Sequence, residues 1–125
     1  MEPSRTSQSF SARDKLRRPA QFRLLQRKGA RAESGHFVIY LGRLDETRQA
    51  LGVTVSRKVG GAVVRNRIKR RIRECFRRGL KAMLPEQTSM VVIALTGAGE
   101  IDFAATRAEL VSAIELASRR LNSRR

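Results

Sequence analysis

Between Arg57 and Lys81 the sequence places eleven basic side chains: Arg57, Lys58, Arg65, Arg67, Lys69, Arg70, Arg71, Arg73, Arg77, Arg78 and Lys81. One acid, Glu74, opposes them, so about ten of the sixteen net positive charges fall in one fifth of the chain. The chemistry open to such a set is recognition of a polyanion. Arginine dominates, and its planar fork grips phosphate bidentately and stacks on bases, which the point charge of lysine cannot do. Other reactive types are scarce. A single cysteine, Cys75, excludes an internal disulfide and a cysteine-based zinc site. A single histidine, His36, excludes a histidine-pair metal site and reads as a strand-packing residue. The eleven carboxylates are scattered, with no clustered acidic set for two-metal hydrolysis.

The rest of the composition points the same way. The 125 residues fit one domain, and 41% hydrophobic residues suffice for a modest core. Only 5% are aromatic and none is Trp, so aliphatic side chains must fill it. A net charge of +16 disfavours the compact state by self-repulsion, which phosphate contacts and counterion release would relieve. Solubility alone calls for much less charge. No apolar run approaches the ~18–20 residues of a membrane span. The N-terminus carries no apolar block of a signal peptide, so a cytoplasmic home and no membrane partner are expected.

The element that must position the basic set is a helix opened by Gly60-Gly61, running to about Leu84 and ended by Pro85. At ~100° per residue, Val64, Ile68, Ile72, Cys75, Phe76, Gly79, Leu80 and Met83 form one stripe that packs on a sheet. Cys75 lies in it as a small core residue. Arg67, Arg70, Arg71, Arg77, Arg78 and Lys81 cover the face opposite or beside the stripe. Arg65, Lys69 and Arg73 run down one flank. Arg65 projects onto the stripe itself, tolerable only at a helix end where its stem reaches past the sheet edge. The helix therefore offers two basic surfaces, suited to two RNA elements. On periodicity alone a single diffuse phosphate-binding face is the alternative.

Around that helix the chain reads as follows. Residues 1–18 form a basic, flexible arm in which Phe10 and Leu16 are isolated. Pro19 to Lys28 is a short helix stopped by Gly29, with Phe22 and Leu25 on its apolar side. Arg31 to Ser34 adds an edge strand. His36 to Leu44 and Leu51 to Ser56 alternate and form a two-stranded antiparallel unit. Phe37, Ile39, Leu41, Leu51, Val53 and Val55 make its aliphatic face. The opposite face carries Tyr40 among small and polar residues and can stay open to solvent. Met90 to Thr96 is an apolar run fitting a buried strand. Asp102 caps a last helix that presents Phe103, Leu110, Ile114, Ala117 and Leu121. Residues 122–125 are a frayed basic tail, and 19–121 is the domain. The result is a single α+β sandwich. Tyr40 and Phe22 serve as stacking platforms, which favours single-stranded or irregular RNA over duplex DNA.

The segment Val55-Ser56-Arg57-Lys58-Val59-Gly60-Gly61-Ala62-Val63-Val64-Arg65-Asn66-Arg67-Ile68-Lys69-Arg70 closely resembles the signature of the bacterial ribonuclease P protein subunit. The order of the other elements, over roughly residues 16–121, is similar to that family. The resemblance implies the order αβββαβα with a left-handed βαβ crossover, similar to domain four of translational elongation factor G. It implies a subunit of a ribonucleoprotein that removes the 5′ leader of precursor tRNA. Catalysis then belongs to the RNA with Mg²⁺, and no catalytic residue lies in the protein. The partners implied are ribonuclease P RNA (the catalytic RNA) and precursor tRNA, with no obligate protein partner. Carried onto this sequence, the leader contacts are Phe22, Tyr40, Arg65, Asn66, Lys69 and Arg73. The contacts to the RNA subunit are Arg57, Lys58, Arg67, Arg70, Arg71 and Arg77. Gln26 stands where relatives often have a second aromatic, so leader stacking rests more on Tyr40. Gly61 replaces a frequent Asn at the helix cap. The rival readings are a ribosomal or general RNA-binding protein, and a stand-alone protein nuclease.

Overall fold

The structure is a computed structural model that describes residues 15, 16, 18–44 and 49–123. In chain order the elements are α1 (Pro19–Lys28), β1 (Ala30–Ser34), β2 (Phe37–Arg43), β3 (Leu51–Val55), α2 (Ala62–Cys75), β4 (Thr88–Ala94) and α3 (Phe103–Ser123). This is the expected order αβββαβα. The four strands form one sheet in the order β1-β2-β4-β3. Strand β4 is antiparallel to β2 and parallel to β3, so β3-α2-β4 is the βαβ unit.

The expected β2–β3 pairing is therefore wrong in its neighbour. β4 lies between them, Ile39 opposite Val92 on one side and Val53 opposite Val92 on the other. The reason is burial. Thr88 to Val92 and Ala94 are buried, which a strand achieves only at the centre of a sheet covered on both faces.

One face carries the main core. Phe37, Ile39, Leu41, Leu51, Val55, Met90 and Val92 meet Ile68, Ile72, Cys75, Phe76 and Leu80 below α2 and Leu110, Ile114 and Ala117 of α3. Fully burying a large apolar side chain contributes roughly 1.5–3 kcal/mol. The opposite face, expected to be open, holds a second apolar cluster instead. Leu16, Leu25, Ala50 and Val91 form it, with Phe22, Tyr40, Leu44 and Ile93 packed around them. Of the flexible arm expected over 1–18, Leu16 is instead part of the packed domain. Leu16 is buried, and its N–H donates to Leu51 O at 3.0 Å. Residues 1–14 and 17 lie outside the described residues. Of the tail expected to fray over 122–125, Asn122 and Ser123 are instead the last residues of α3, and 124–125 lie outside the described residues.

The α2 stripe is buried as expected, but the helix is not continuous. A π-helical turn, Phe76–Leu80, follows Cys75, with Gly79 at φ 177°, and one more turn, Lys81–Met83, leads to Pro85. The helix kinks at Gly79 within this turn, and Phe76 and Leu80 on either side of the kink are both fully buried. Cys75 is also buried, and burial pushes its thiol up to about 11 from 9.0. The folded chain thus holds this proton after the unfolded chain has released it. Stability is expected to fall as pH rises between 9 and about 11. Urea titrations of the chain beside Cys75→Ala check this, since the variant lacks that part of the fall.

Gly61 is the N-cap of α2 and offers no side-chain acceptor to the first turn. A side chain there would meet nothing within 4 Å. Gly61→Asn is expected to stabilise the chain by roughly 0.3 kcal/mol, read as a rise of about 1 °C in Tm.

His36 does not pack within a strand. It lies just before β2, where its backbone N–H donates to Glu109 Oε1 of α3 at 2.8 Å. Its Nδ1 stands 3.2 Å from both carboxylate oxygens of Glu109. The neighbouring Gly35 has φ +56°, and a Cβ there would fall 2.2 Å from the same carboxylate. The β1–β2 turn is thereby clamped to α3.

Candidate nucleic-acid interface

Helix α2 packs on β3 and, on its other side, against α3 and the 3₁₀ turn Ala98–Glu100. One flank therefore looks past the β3 edge of the sheet, and the other looks at the start of α3.

Arg65, Lys69 and Arg73 lie on the β3-side flank, each half-exposed, with Asn66 exposed beside them. Arg65 does reach away from the stripe, as its position demands. Its Nε–H donates to Gly60 O at 3.1 Å, which folds the side chain back along the entrance to the helix.

On the flank facing α3 the arginines are partly engaged within the protein. Arg67 Nη2 donates to Gly99 O at 3.3 Å, and Arg71 Nη1 donates to Ile101 O. These contacts hold the loop between β4 and α3. Glu74 pairs with Arg77, three residues on, and with Arg78 Nε at 2.8 Å. The hydrogen bond from Arg77, helped by Arg78, holds the Glu74 carboxyl below the usual carboxylate range. Arg78 also lies over the Phe103 ring, 5.8 Å from its centroid. Arg70, Arg57 and Lys58 are exposed. Arg67, Arg71 and Arg77 each have an internal contact, while Arg57, Lys58 and Arg70 project into solvent.

The second face of the sheet is built by strand register. Arg31, Tyr40, Val91 and Gly52 form one row across all four strands, and Glu33, Val38, Ile93 and Thr54 form the next. Helix α1 covers part of this face. Phe22 sits over Gly52, where an added Cβ would come within 2.6 Å of two ring carbons. Glycine at 52 is what lets α1 approach the sheet. Phe22 and Tyr40 are each half-buried against the same apolar cluster, so two of the expected leader contacts are brought together. Arg65, Asn66, Lys69 and Arg73 are carried by α2, which packs on the opposite face of the sheet. Those four stand around the β3 edge, in the other layer.

Sequence reading missed Arg31. It lies directly across from Tyr40, and the hydroxyl beside it holds the guanidinium proton more firmly than usual. Arg31 Nη2 also donates to Glu33 Oε1 at 3.2 Å. Alternation could have put Arg31 on one face of its strand. Only the register shows that this is the face of Tyr40.

Fold and surface together define a class: a single α+β domain that presents a basic helix and a half-covered sheet face to nucleic acid. The model of the family Ribonuclease P matches residues 10–118, and the chain belongs to that family. It is 41% identical over 100 residues to the Ribonuclease P protein component of Acidothermus cellulolyticus, covering 78% of this chain and 82% of that protein. Among solved structures it is similar to the RNase P protein of Staphylococcus aureus, with a TM-score of 0.74 at 28% identity, covering 83% of this chain and 94% of that one. The RNase P protein from Thermotoga maritima gives 0.71 at 32% identity, covering 84% and 96%. Among the described residues no helix is long and apolar enough to cross a membrane.

Proposed function

We propose that this chain is the RNA-binding protein subunit of ribonuclease P and works with two surfaces at once. The single-stranded 5′ leader of precursor tRNA lies along the sheet face beside α1. Phe22 and Tyr40 stack its bases there, and Arg31 is an added phosphate contact. Arg65, Asn66, Lys69 and Arg73 extend the track around the β3 edge. Arg57, Lys58, Arg67, Arg70, Arg71 and Arg77 dock on ribonuclease P RNA. The observation that carries this reading is the family membership, joined to the opposed flanks of α2.

The physics suits a subunit that assists an RNA catalyst. Catalytic RNA and substrate RNA repel each other, and a net charge of +16 between them reduces that repulsion. Stacking is tolerant of base identity because every base has a π face, so leaders of different sequence are accepted. Among the described residues no three His, Cys, Asp or Glu side chains gather to hold a metal. The resemblance to the family assigns the Mg²⁺ that supports hydrolysis to the RNA. A positive protein repels Mg²⁺, so any gain in metal affinity has to come from how the leader is positioned.

Reconstitution tests the reading. The chain is combined with ribonuclease P RNA, and cleavage of precursor tRNA is measured at low Mg²⁺. Faster cleavage than with RNA alone is expected. No enhancement would sink the assignment in favour of a general RNA-binding role. Cleavage by the protein without RNA would favour a protein nuclease.

A further inference from the structure

The flank of α2 that faces α3 holds a shallow, open groove. Arg67, Arg70, Arg71 and Glu74 line one side, and Phe103, the first residue of α3, closes the other. Its volume is 330 Å³. That lies at the lower end of the roughly 300–1,000 Å³ typical of sites that enclose a small organic group.

A surface that only binds phosphate has no use for a carboxylate, yet the one acid between Arg57 and Lys81 stands in this groove. A simpler role for Glu74 is to relieve repulsion between Arg77 and Arg78. It does so, but with acceptor capacity left over. Oε2 receives Arg77 and Arg78, and Oε1 receives Arg77 Nε at 3.2 Å; each carboxylate oxygen has lone-pair sites for more than one donor. Two of the three arginines are ordered before any ligand arrives, because Gly99 O and Ile101 O hold Arg67 and Arg71. Such preorganisation lowers the entropy lost on binding. Arg67 also keeps a buried Nε–H with no acceptor among the described residues, an unusual state for a polar group in a folded protein. Phe103 is half-buried; Arg78 lies over one face of its ring, and the side chain lines the groove as an aromatic wall.

Donors, an acceptor and an aromatic wall in one groove fit a nucleobase better than a phosphate. We propose that the groove captures one unstacked guanine of ribonuclease P RNA. The base lies against Phe103 and presents O6 and N7 to the arginines, the commonest base contact of that side chain. Its N1–H or N2–H donates to Glu74. This rests on the reading of α2 as the helix that docks on the RNA subunit, and it gives that docking a specific anchor.

The test uses the reconstituted ribonucleoprotein and a dicarbonyl reagent that modifies unpaired guanine at N1 and N2. The chain is expected to protect one guanine of the RNA. Phe103→Leu, which keeps apolar packing, and Glu74→Gln, on a half-exposed helix position, should each lose that protection while the rest of the protein footprint persists. Phe103→Leu should also weaken assembly by roughly 5- to 150-fold, the effect of losing one stacked base. Circular dichroism of both variants checks that they are folded. Protection unchanged in both folded variants, or a footprint without any protected guanine, overturns the proposal while leaving RNA docking intact. No footprint at all from the unaltered chain overturns the docking reading and this inference with it.

Discussion

Tyr40→Ala is expected to lower affinity for leader-bearing precursor tRNA by roughly 5- to 150-fold, the effect of one base–aromatic stack. Affinity for mature tRNA, which has no leader, should stay unchanged. Tyr40 is half-buried in its row, between the exposed Arg31 on one side and the buried Val91 and Gly52 on the other. Phe22 shares its apolar cluster, but its ring is already committed to Gly52. Gln26, one helical turn after Phe22, is exposed and offers no ring in its place. The phenol is thus the stacking surface least replaced by a neighbour. Binding titrations with precursor and mature tRNA, each in the presence of ribonuclease P RNA, separate the outcomes. An equal loss on both substrates would refute a leader contact at Tyr40.

Phe76→Ala should cost about 3–5 kcal/mol of folding stability, the range for emptying a large aromatic site in a closed core. Phe76 is fully buried beneath the π turn, in the cluster that joins β2 and β4 to α2 and α3. The surrounding side chains come from both layers and cannot collapse without moving a helix. A domain of this size has only about 5–15 kcal/mol to lose, so the variant should unfold at much lower urea. The midpoint of urea unfolding is the readout. A loss below about 1 kcal/mol would mean that the π turn does not hold Phe76 in the core.

The parts of the fold that were legible in the sequence are those with local punctuation. Pro19 and Gly29 bracket α1, the stripe from Val64 to Leu80 marks the buried side of α2, and Asp102 caps α3 by accepting from Ala105 N–H at 2.8 Å. Strand order was not legible in the same way. Alternation in β2 and β3 tells which face each residue takes and says nothing about which strand lies beside it. The cue was the unbroken apolar run of β4, which marks a central strand. The clamp between His36 and Glu109 spans 73 residues of sequence, and no local pattern announces it. The same holds for Leu16, whose burial depends on where α1 crosses the sheet. In the candidate site, helical angles separated the two flanks of α2 correctly. They could not show that Arg67 and Arg71 turn back onto carbonyls of the β4–α3 loop, because that loop is placed by tertiary packing alone.

The two-surface reading is tested most directly by tethered cleavage in the assembled ribonucleoprotein with bound precursor tRNA. Cys75 is buried and its thiol stays protonated, so a cysteine introduced at the surface can be labelled selectively with an iron–EDTA group. Thr54→Cys places the probe on the sheet face, in the row next to Tyr40. Val63→Cys places it on the outer side of α2, where Val63 is 76% exposed and one turn before Arg67. From Thr54→Cys the strand breaks should fall in the 5′ leader, and from Val63→Cys in the catalytic RNA. Leader breaks of equal strength from both positions, or breaks from Thr54→Cys confined to the catalytic RNA, would contradict it.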